Sequence, residues 1–263
     1  MTERTFKVRT CTAVAEFEQM VELQLRVWGY SERDAVPTIM FVVAARTGGQ
    51  VIGAFDGEQM VGFALAYPGL HDGKPYMHSH MAAVLPAYRD LGIGRELKLA
   101  QRADALARGI ARIEWTFDPL QTKNAYFNIC RLGVIIRRYL LDVYGSTSSP
   151  LHGGLPTDRL LAEWHLESDH VTNVLAGRPP MIGKDAQRIN IELPAEGSPP
   201  HMLAGVQLRI RERFQTLFGW NYVVTWLERE ADGSVSYILE RAQSGFPEGW
   251  TAIRCREGSD RSR

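Results

Sequence analysis

Two glycines one residue apart, Gly92 and Gly94, close the run His78-Ser79-His80-Met81-Ala82-Ala83-Val84-Leu85-Pro86-Ala87-Tyr88-Arg89-Asp90-Leu91-Gly92-Ile93-Gly94-Arg95. A strand that ends in such a turn and enters a helix lets successive backbone N–H groups converge on an anion. The positive end of the helix dipole lies behind them. Pyrophosphate is the natural guest, with Arg89 and Arg95 available to reinforce the site, and a purely structural turn is the equal alternative. The Gly-Lys-Ser/Thr ending of an NTP-hydrolysing phosphate loop is absent. A dinucleotide fingerprint needs a third glycine and a place near the first strand, so a nicotinamide oxidoreductase is a distant alternative.

Other chemistry-bearing residues are scattered more thinly. His78 and His80, two apart, share one strand face as sheet histidines, a proton relay or half a metal site; a full site needs a third ligand from elsewhere, for which His71 and His152 are available, and no metal is expected. Asp118 stands at the end of a strand, just before Pro119, where catalytic groups emerge and where Asx turns also form. Glu114 points to the same strand face as Asp118. No Ser-His-Asp or Cys-His set is visible, and Cys130 inside an apolar helix reads as core.

The elements that must position these groups follow from periodicity. Residues 17–30 form an amphipathic helix stopped by Gly29, while residues 37–46 suit a short helix or a buried strand. Residues 51–56 and 60–67 flank Asp56-Gly57 as a hairpin, a loop holding His71, Gly73 and Pro75 follows, and residues 77–85 resume as a strand. Residues 95–108 form a helix capped by Gly109 and residues 111–117 a strand, completing a β-loop-α-β unit, and residues 124–132 read as a further helix. Strand character returns after Gly133 and again at residues 160–166. Residues 170–184 read as a linker or long loop. Beyond them lie a strand at 188–193, a helix at 203–218, and a hairpin around Asp232-Gly233. The expected organisation is a main mixed α/β domain over residues 1–168 and a C-terminal α+β accessory region over 169–263. That region is small enough to pack onto the main sheet rather than fold alone.

Composition narrows the class. The 263 residues carry 30 basic and 30 acidic side chains, so no global surplus points to nucleic acid or an anionic membrane. Arg209, Arg211 and Arg213 are interrupted by Glu212 and lack a stacking set, which suits a solvated helix face or a homodimer contact. Cys11, Cys130 and Cys255 form no disulfide framework. Neither a signal-peptide pattern nor a run of about 20 apolar residues occurs, so a cytoplasmic protein with no membrane partner is expected.

The run Arg89-Asp90-Leu91-Gly92-Ile93-Gly94, between strand and helix, resembles the acetyl-CoA-binding motif of the GNAT superfamily of N-acetyltransferases. The order of elements over residues 8–168 is similar to that fold. Val27-Trp28-Gly29, Trp115-Thr116-Phe117-Asp118-Pro119-Leu120, Asn124-Ala125-Tyr126-Phe127-Asn128, Arg138-Tyr139 and Gly154-Leu155-Pro156-Thr157-Asp158-Arg159 further resemble a poorly characterised bacterial branch. Some of its relatives are associated with succinylation of amino acids.

The resemblance implies that Leu91, Gly92, Ile93, Gly94 and Arg95 hold the pyrophosphate of an acyl-CoA through backbone N–H groups. It implies that Val84 and Leu85 meet the pantetheine arm, that the strand from Ala111 splays away from them, and that Asn124 contacts the cofactor. Trp28, Tyr30 and Arg33 then lie over an amine or amino-acid acceptor, where Arg33 can pair with a carboxylate. Acyl transfer needs a proton acceptor for the amine and a donor for the thiolate. Asp118 is the first choice of base, with Glu114 acting through water and His80 as further candidates. The tyrosine common in the superfamily seven residues beyond the asparagine is replaced by Arg131, so Tyr126, Tyr139 and Tyr144 are the remaining acids. Direct transfer of an acetyl or other short acyl group, succinyl included, is the expected reaction. The rival is a binding or structural module that kept the fold and lost turnover.

Overall fold

A computed structural model describes residues 6–29, 31–145, 154–195, 199–230 and 234–242. Its elements run β1 (Lys7–Thr10), α1 (Val14–Trp28), α2 (Thr38–Arg46), β2 (Gln50–Asp56), β3 (Gln59–His71), β4 (Lys74–Val84), α3 (Ile93–Ala107), β5 (Arg112–Phe117) and α4 (Thr122–Tyr126). They continue with β6 (Ile135–Leu140), β7 (Arg159–His165), α5 (Asp169–Leu175), β8 (Gln187–Ile191), α6 (Pro200–Gly219), β9 (Tyr222–Arg229) and β10 (Val235–Arg241). All ten strands join one mixed sheet in the order β1-β2-β3-β4-β5-β7-β6-β9-β10-β8. Helices flank it, giving the expected α/β class.

Local chemistry explains several boundaries. Glu16 accepts hydrogen bonds from the backbone N–H groups of Thr12 (2.8 Å) and Ala13 (3.0 Å), occupying donors at the start of α1. Gly29 ends that helix in the left-handed conformation and donates to Leu25 O. The ambiguous residues 37–46 are helical because Phe41 and Ala44 face the core one turn apart. The expected loop around His71 is instead the tip of a long hairpin: β3 pairs with β4 as far as His71 opposite Lys74. Asp72 (φ 48°) and Gly73 (φ 74°) turn the chain with two positive φ values, the conformation that matches strand twist.

Three further differences appear. Residues 7–10 form an edge strand absent from the sequence reading. The supposed linker after residue 169 begins with α5, whose N-terminus Ser168 caps by accepting from Val171 N–H. The expected helix at 124–132 divides into α4 and one turn of π-helix, Phe127–Arg131. Cys255, His152 and the turn residues Asp232 and Gly233 lie outside the described residues.

The C-terminal strands extend the main sheet through β9, which pairs with β6 at Ile136 opposite Val224. Their core is shared: Phe214 of α6 stacks on Tyr139 of β6 (5.7 Å) and meets Tyr237 of β10 edge-on (5.2 Å). Phe214 is fully buried. Replacing it with alanine is expected to cost about 3–5 kcal/mol. Urea denaturation followed by tryptophan fluorescence checks this, and a single unfolding transition shifted as a whole is the expected form.

Candidate active site

β4 and β5 run parallel but pair at only two positions, Met77 with Ile113 and His78 with Glu114. β4 nevertheless continues to Val84 and β5 to Phe117. Their C-terminal parts therefore form a fork. Its left arm is held by β3 and its right arm by β7, which pairs with β5 from Arg112 to Phe117. A bulge in β4 places an extra residue, His80, beside this opening: Leu65 pairs with Met81 and Ala66 with Ser79.

At the mouth of the fork, a single 3₁₀ turn, Pro86–Tyr88, leads to Asp90 (φ 62°) and Gly92 (φ 83°). Gly92 is the N-cap of α3 and has no side chain to satisfy the first N–H groups. Among the described residues, the backbone N–H groups of Leu91, Gly92, Ile93 and Gly94 find no acceptor in the chain. A Cβ placed on Gly92 would meet nothing within 4 Å, so the cradle opens outward. Four N–H groups without an acceptor at a helix N-terminus fit a diphosphate. Arg95 departs from the expected role. Its N–H donates to Gly92 O (2.9 Å), and its guanidinium to Leu175 O (3.2 Å). Arg89 is exposed and donates from Nε to Val84 O (3.4 Å). Leu85 is buried, with its N–H on Val61 O, and Val84 is half-buried.

The two faces of the sheet at the fork differ sharply. On one lies a polar strip. Tyr67, His80 and His78 follow one another, with ring centroids 5.8 Å and 6.4 Å apart. Register places Glu114 next to His78. Glu114 then contacts the guanidinium of Arg112 and lies 3.7 Å from that of Arg138. Glu163 continues the strip, 3.5 Å from Arg112, 2.9 Å from Arg137 and 3.4 Å from His165. Burial alone would raise the Glu163 pKa, but the His165 hydrogen bond and the two arginines outweigh it and hold it below the usual range. Burial pushes His78 down to about 4, helped by His80 and Lys98. Protein packed around His80 lowers its pKa as well, although the residue retains an exposed surface.

On the other face, Lys98 of α3 is buried beneath the base of the fork. Its amino group lies 2.8 Å from Ser79 Oγ, 3.2 Å from Gln101 Oε1 and 3.5 Å from the Trp115 ring centroid. These three directions suit the three N–H bonds of an ammonium, and the ring face favours a cation. None of the three partners is a carboxylate. Burial outweighs the ring and lowers the pKa well below the ordinary lysine value.

The remaining candidates are dispersed. Asp118 Oδ1 accepts from Leu120 N–H (2.8 Å), the Asx turn already considered for it. Tyr126 packs against the core on the Trp115 side, under the Arg229 guanidinium at 4.8 Å. Tyr139 donates to Asp158 within the core, while Tyr144 is exposed beside Thr116 (2.8 Å). Asn124 is exposed and accepts from Asn128 at 3.5 Å. Cys130 is buried, donates to Leu227 O, and is pushed up to about 12 by burial, so it stays a thiol. Trp28 packs edge-on to Phe63 at 6.2 Å. Arg33 is exposed in the loop after α1, whose far end is fixed by Gln24 bonds to Val36 N–H (2.8 Å) and O (3.0 Å). Tyr30 lies outside the described residues. Among the described residues, no group of three His, Cys, Asp or Glu could hold a metal ion, and no helix is long and apolar enough to cross a membrane. The sequence reading missed Lys98 and the arginine strip. The strip had a visible signal, the alternation of Arg112 and Glu114 and the Arg137-Arg138 pair; Lys98 resembled an ordinary surface helix residue.

Residues 17–127 match the model of the acetyltransferase (GNAT) family. Among solved structures, a candidate GNAT-family acetyltransferase from Desulfovibrio desulfuricans superposes with a TM-score of 0.50 at 14% identity, covering 62% of this chain and 99% of its own. The ribosomal-protein-S18-alanine N-acetyltransferase of Escherichia coli gives 0.49 at 14% identity, over 69% and 98% of the two chains. A ribosomal-protein-alanine N-acetyltransferase from Brucella melitensis gives 0.48 at 19%, over 60% and 98%. At 14% identity, what the Desulfovibrio structure shares with this chain is the fold. No curated protein matches the chain. Over residues 17–127 the chain is similar to the GNAT acetyltransferase family.

Lys98 generates a stability prediction. The unfolded chain keeps this lysine protonated up to about pH 10.4, whereas the fold releases the proton at lower pH. The unfolded state therefore binds more protons between the two values, and stability rises with pH across that window. Below the folded value the whole penalty is present. Lys98→Met is expected to raise the urea midpoint at neutral pH and to lose the alkaline rise. Urea midpoints measured from pH 7 to 10 check both.

Proposed function

We propose that the chain is a CoA-thioester-dependent acyltransferase that moves an acetyl or other short acyl group, succinyl included, directly onto a small amine or amino acid. The observation that carries this reading is the fork between β4 and β5 with the open N–H cradle of residues 91–94 at its mouth. A slot lined by strand edges suits an extended arm, and the cradle suits its diphosphate. The thioester, when bound, supplies an activated acyl carbon.

The chain's own residues then have three tasks. Leu91, Gly92, Ile93 and Gly94 bind the diphosphate through N–H groups, and Arg89 adds charge at the mouth. The inner edges of β4 and β5, Val84 among them, orient the arm. His80 takes the proton of the attacking amine at its imidazole. It sits at the bulge beside the fork, retains an exposed surface and is kept neutral by its surroundings. Glu114 is held by Arg112 and orients the strip. Asp118 and Tyr126 remain secondary candidates for proton transfer, and Asn124, Trp28, Tyr30 and Arg33 for binding. The rival reading, a thioester-binding module without turnover, draws on Arg131 standing where the family often has a tyrosine.

Calorimetric titration with CoA, acetyl-CoA and succinyl-CoA tests the donor site. Saturable binding to wild type is expected. Loss is expected in Gly92→Glu, where a side chain enters the cradle from a left-handed backbone. A folded wild-type sample that binds none of the three sinks the assignment. In an amine screen, His80→Gln is expected to lower kcat by about 10²-fold while leaving thioester affinity unchanged. Because the His80 pKa is lowered, wild-type activity should hold through neutral pH and fall only below about 6.5. Binding without transfer to any amine would favour the rival.

A further inference from the structure

The polar strip beside the fork contains more cation than its own carboxylates can neutralise. Arg112, Arg137 and Arg138 face Glu114 and Glu163. Arg112 contacts Glu114 and reaches Glu163, and Arg137 lies 2.9 Å from Glu163. Both carboxylates are thus engaged without Arg138. That residue's interaction with Glu114 is long, 3.7 Å, and no hydrogen bond from its guanidinium to the described residues occurs. It is also the most exposed of the three, at 21% of its side chain against 14% for Arg137 and 6% for Arg112. A guanidinium presents a planar fork of donors that matches a carboxylate bidentately. The position is defined: Arg138 stands beside Glu114, which lies next to His78 at the last pairing of β4 with β5.

We propose that Arg138 anchors a carboxylate presented at the fork by one of the two substrates, so that the enzyme selects a carboxylate-bearing acceptor or a carboxylate-ended acyl group. This rests on the acyltransfer reading above. The shared chemistry is a carboxylate within reach of the reacting centre; the two sources differ in which substrate brings it. The bulge in β6 contributes to this placement. Between Ile136 and Tyr139 the β6–β7 register shifts, and this is where Arg137 and Arg138 lie. Their guanidinium groups consequently serve different carboxylates, Glu163 and Glu114, on the same strip. Arg138 is a specificity residue.

The test uses the full chain and two substrate arms. In the acceptor arm, acetyl-CoA is the donor, and α-amino acids are compared with their carboxamides and with the corresponding simple amines. In the donor arm, succinyl-CoA is compared with acetyl-CoA, both for transfer to the simple amines and for direct calorimetric binding. Wild type, Arg138→Gln and Arg138→Lys are run in parallel. Each keeps the Arg112–Glu114 contact, so an unchanged melting profile is expected. A preference of tenfold or more for the carboxylate member of one arm, lost in Arg138→Gln through KM or Kd with kcat little altered, and partly restored by Arg138→Lys, supports the proposal and identifies the source. Equal handling of carboxylate and neutral members in both arms, or a preference untouched by Arg138→Gln, overturns it. Acyl transfer that persists without any carboxylate preference overturns this inference and leaves the acyltransfer reading standing. Failure of every CoA thioester to bind overturns the acyltransfer reading and, with it, this one.

Discussion

The two-residue pairing between β4 and β5 is the constraint on which the rest of the site depends. Each strand is fully engaged on its far side, β4 by β3 and β5 by β7. Neither can swing inward to close the gap without giving up a longer ladder. A handful of backbone hydrogen bonds across the fork would cost many more on the outside, so the split is a stable feature. The bulge in β4 lies just beyond the last pairing of β4 with β5 and sets His80 beside the opening.

The fork also separates two electrostatic settings. Beneath it, Lys98 is surrounded by Ser79, Gln101 and Trp115, which solvate an amine but supply no counter-charge. Above it, arginine and glutamate side chains alternate across β5, β7 and β6, and Glu163 stays ionised although almost wholly buried. Both settings border the same opening. A charge developing there meets a strip rich in fixed dipoles and cations on one side and a buried amine without a counter-charge on the other.

Much of this was legible in the sequence, and what was not has physical causes. The glycine turn could be read because positive φ and an uncapped helix start each leave a local signature, as at Gly92. Strand alternation around Trp115 and Trp164 was equally plain. Residues 170–184 read as a linker because Gly177, Pro179 and Pro180 dominate the composition, yet the short helix before them is held by the Ser168 cap and by Val171 and Val174 packing inward. The meeting of Glu114 with Arg138 was hidden, because the register that brings β5 and β6 to β7 is a tertiary matter. Lys98 was hidden for a related reason. Nothing in a helix sequence distinguishes a lysine in water from one pressed onto a tryptophan.

Chain order and sheet order diverge at the C-terminal edge. β8 is made before β9 and β10 yet lies outside both, paired only with β10 at its inner side. On a ribosome this strand emerges dozens of residues ahead of its partner, and β6 must likewise wait for β7, which inserts between it and β5. During vectorial synthesis the nascent chain therefore carries two strand edges with no mate, and the sheet closes only when its last strand is released. Such late, non-local closure is slow and exposes adhesive edges while it lasts. The yield of folded protein should thus depend on the pace of translation and on chaperone capacity more than its final stability would suggest.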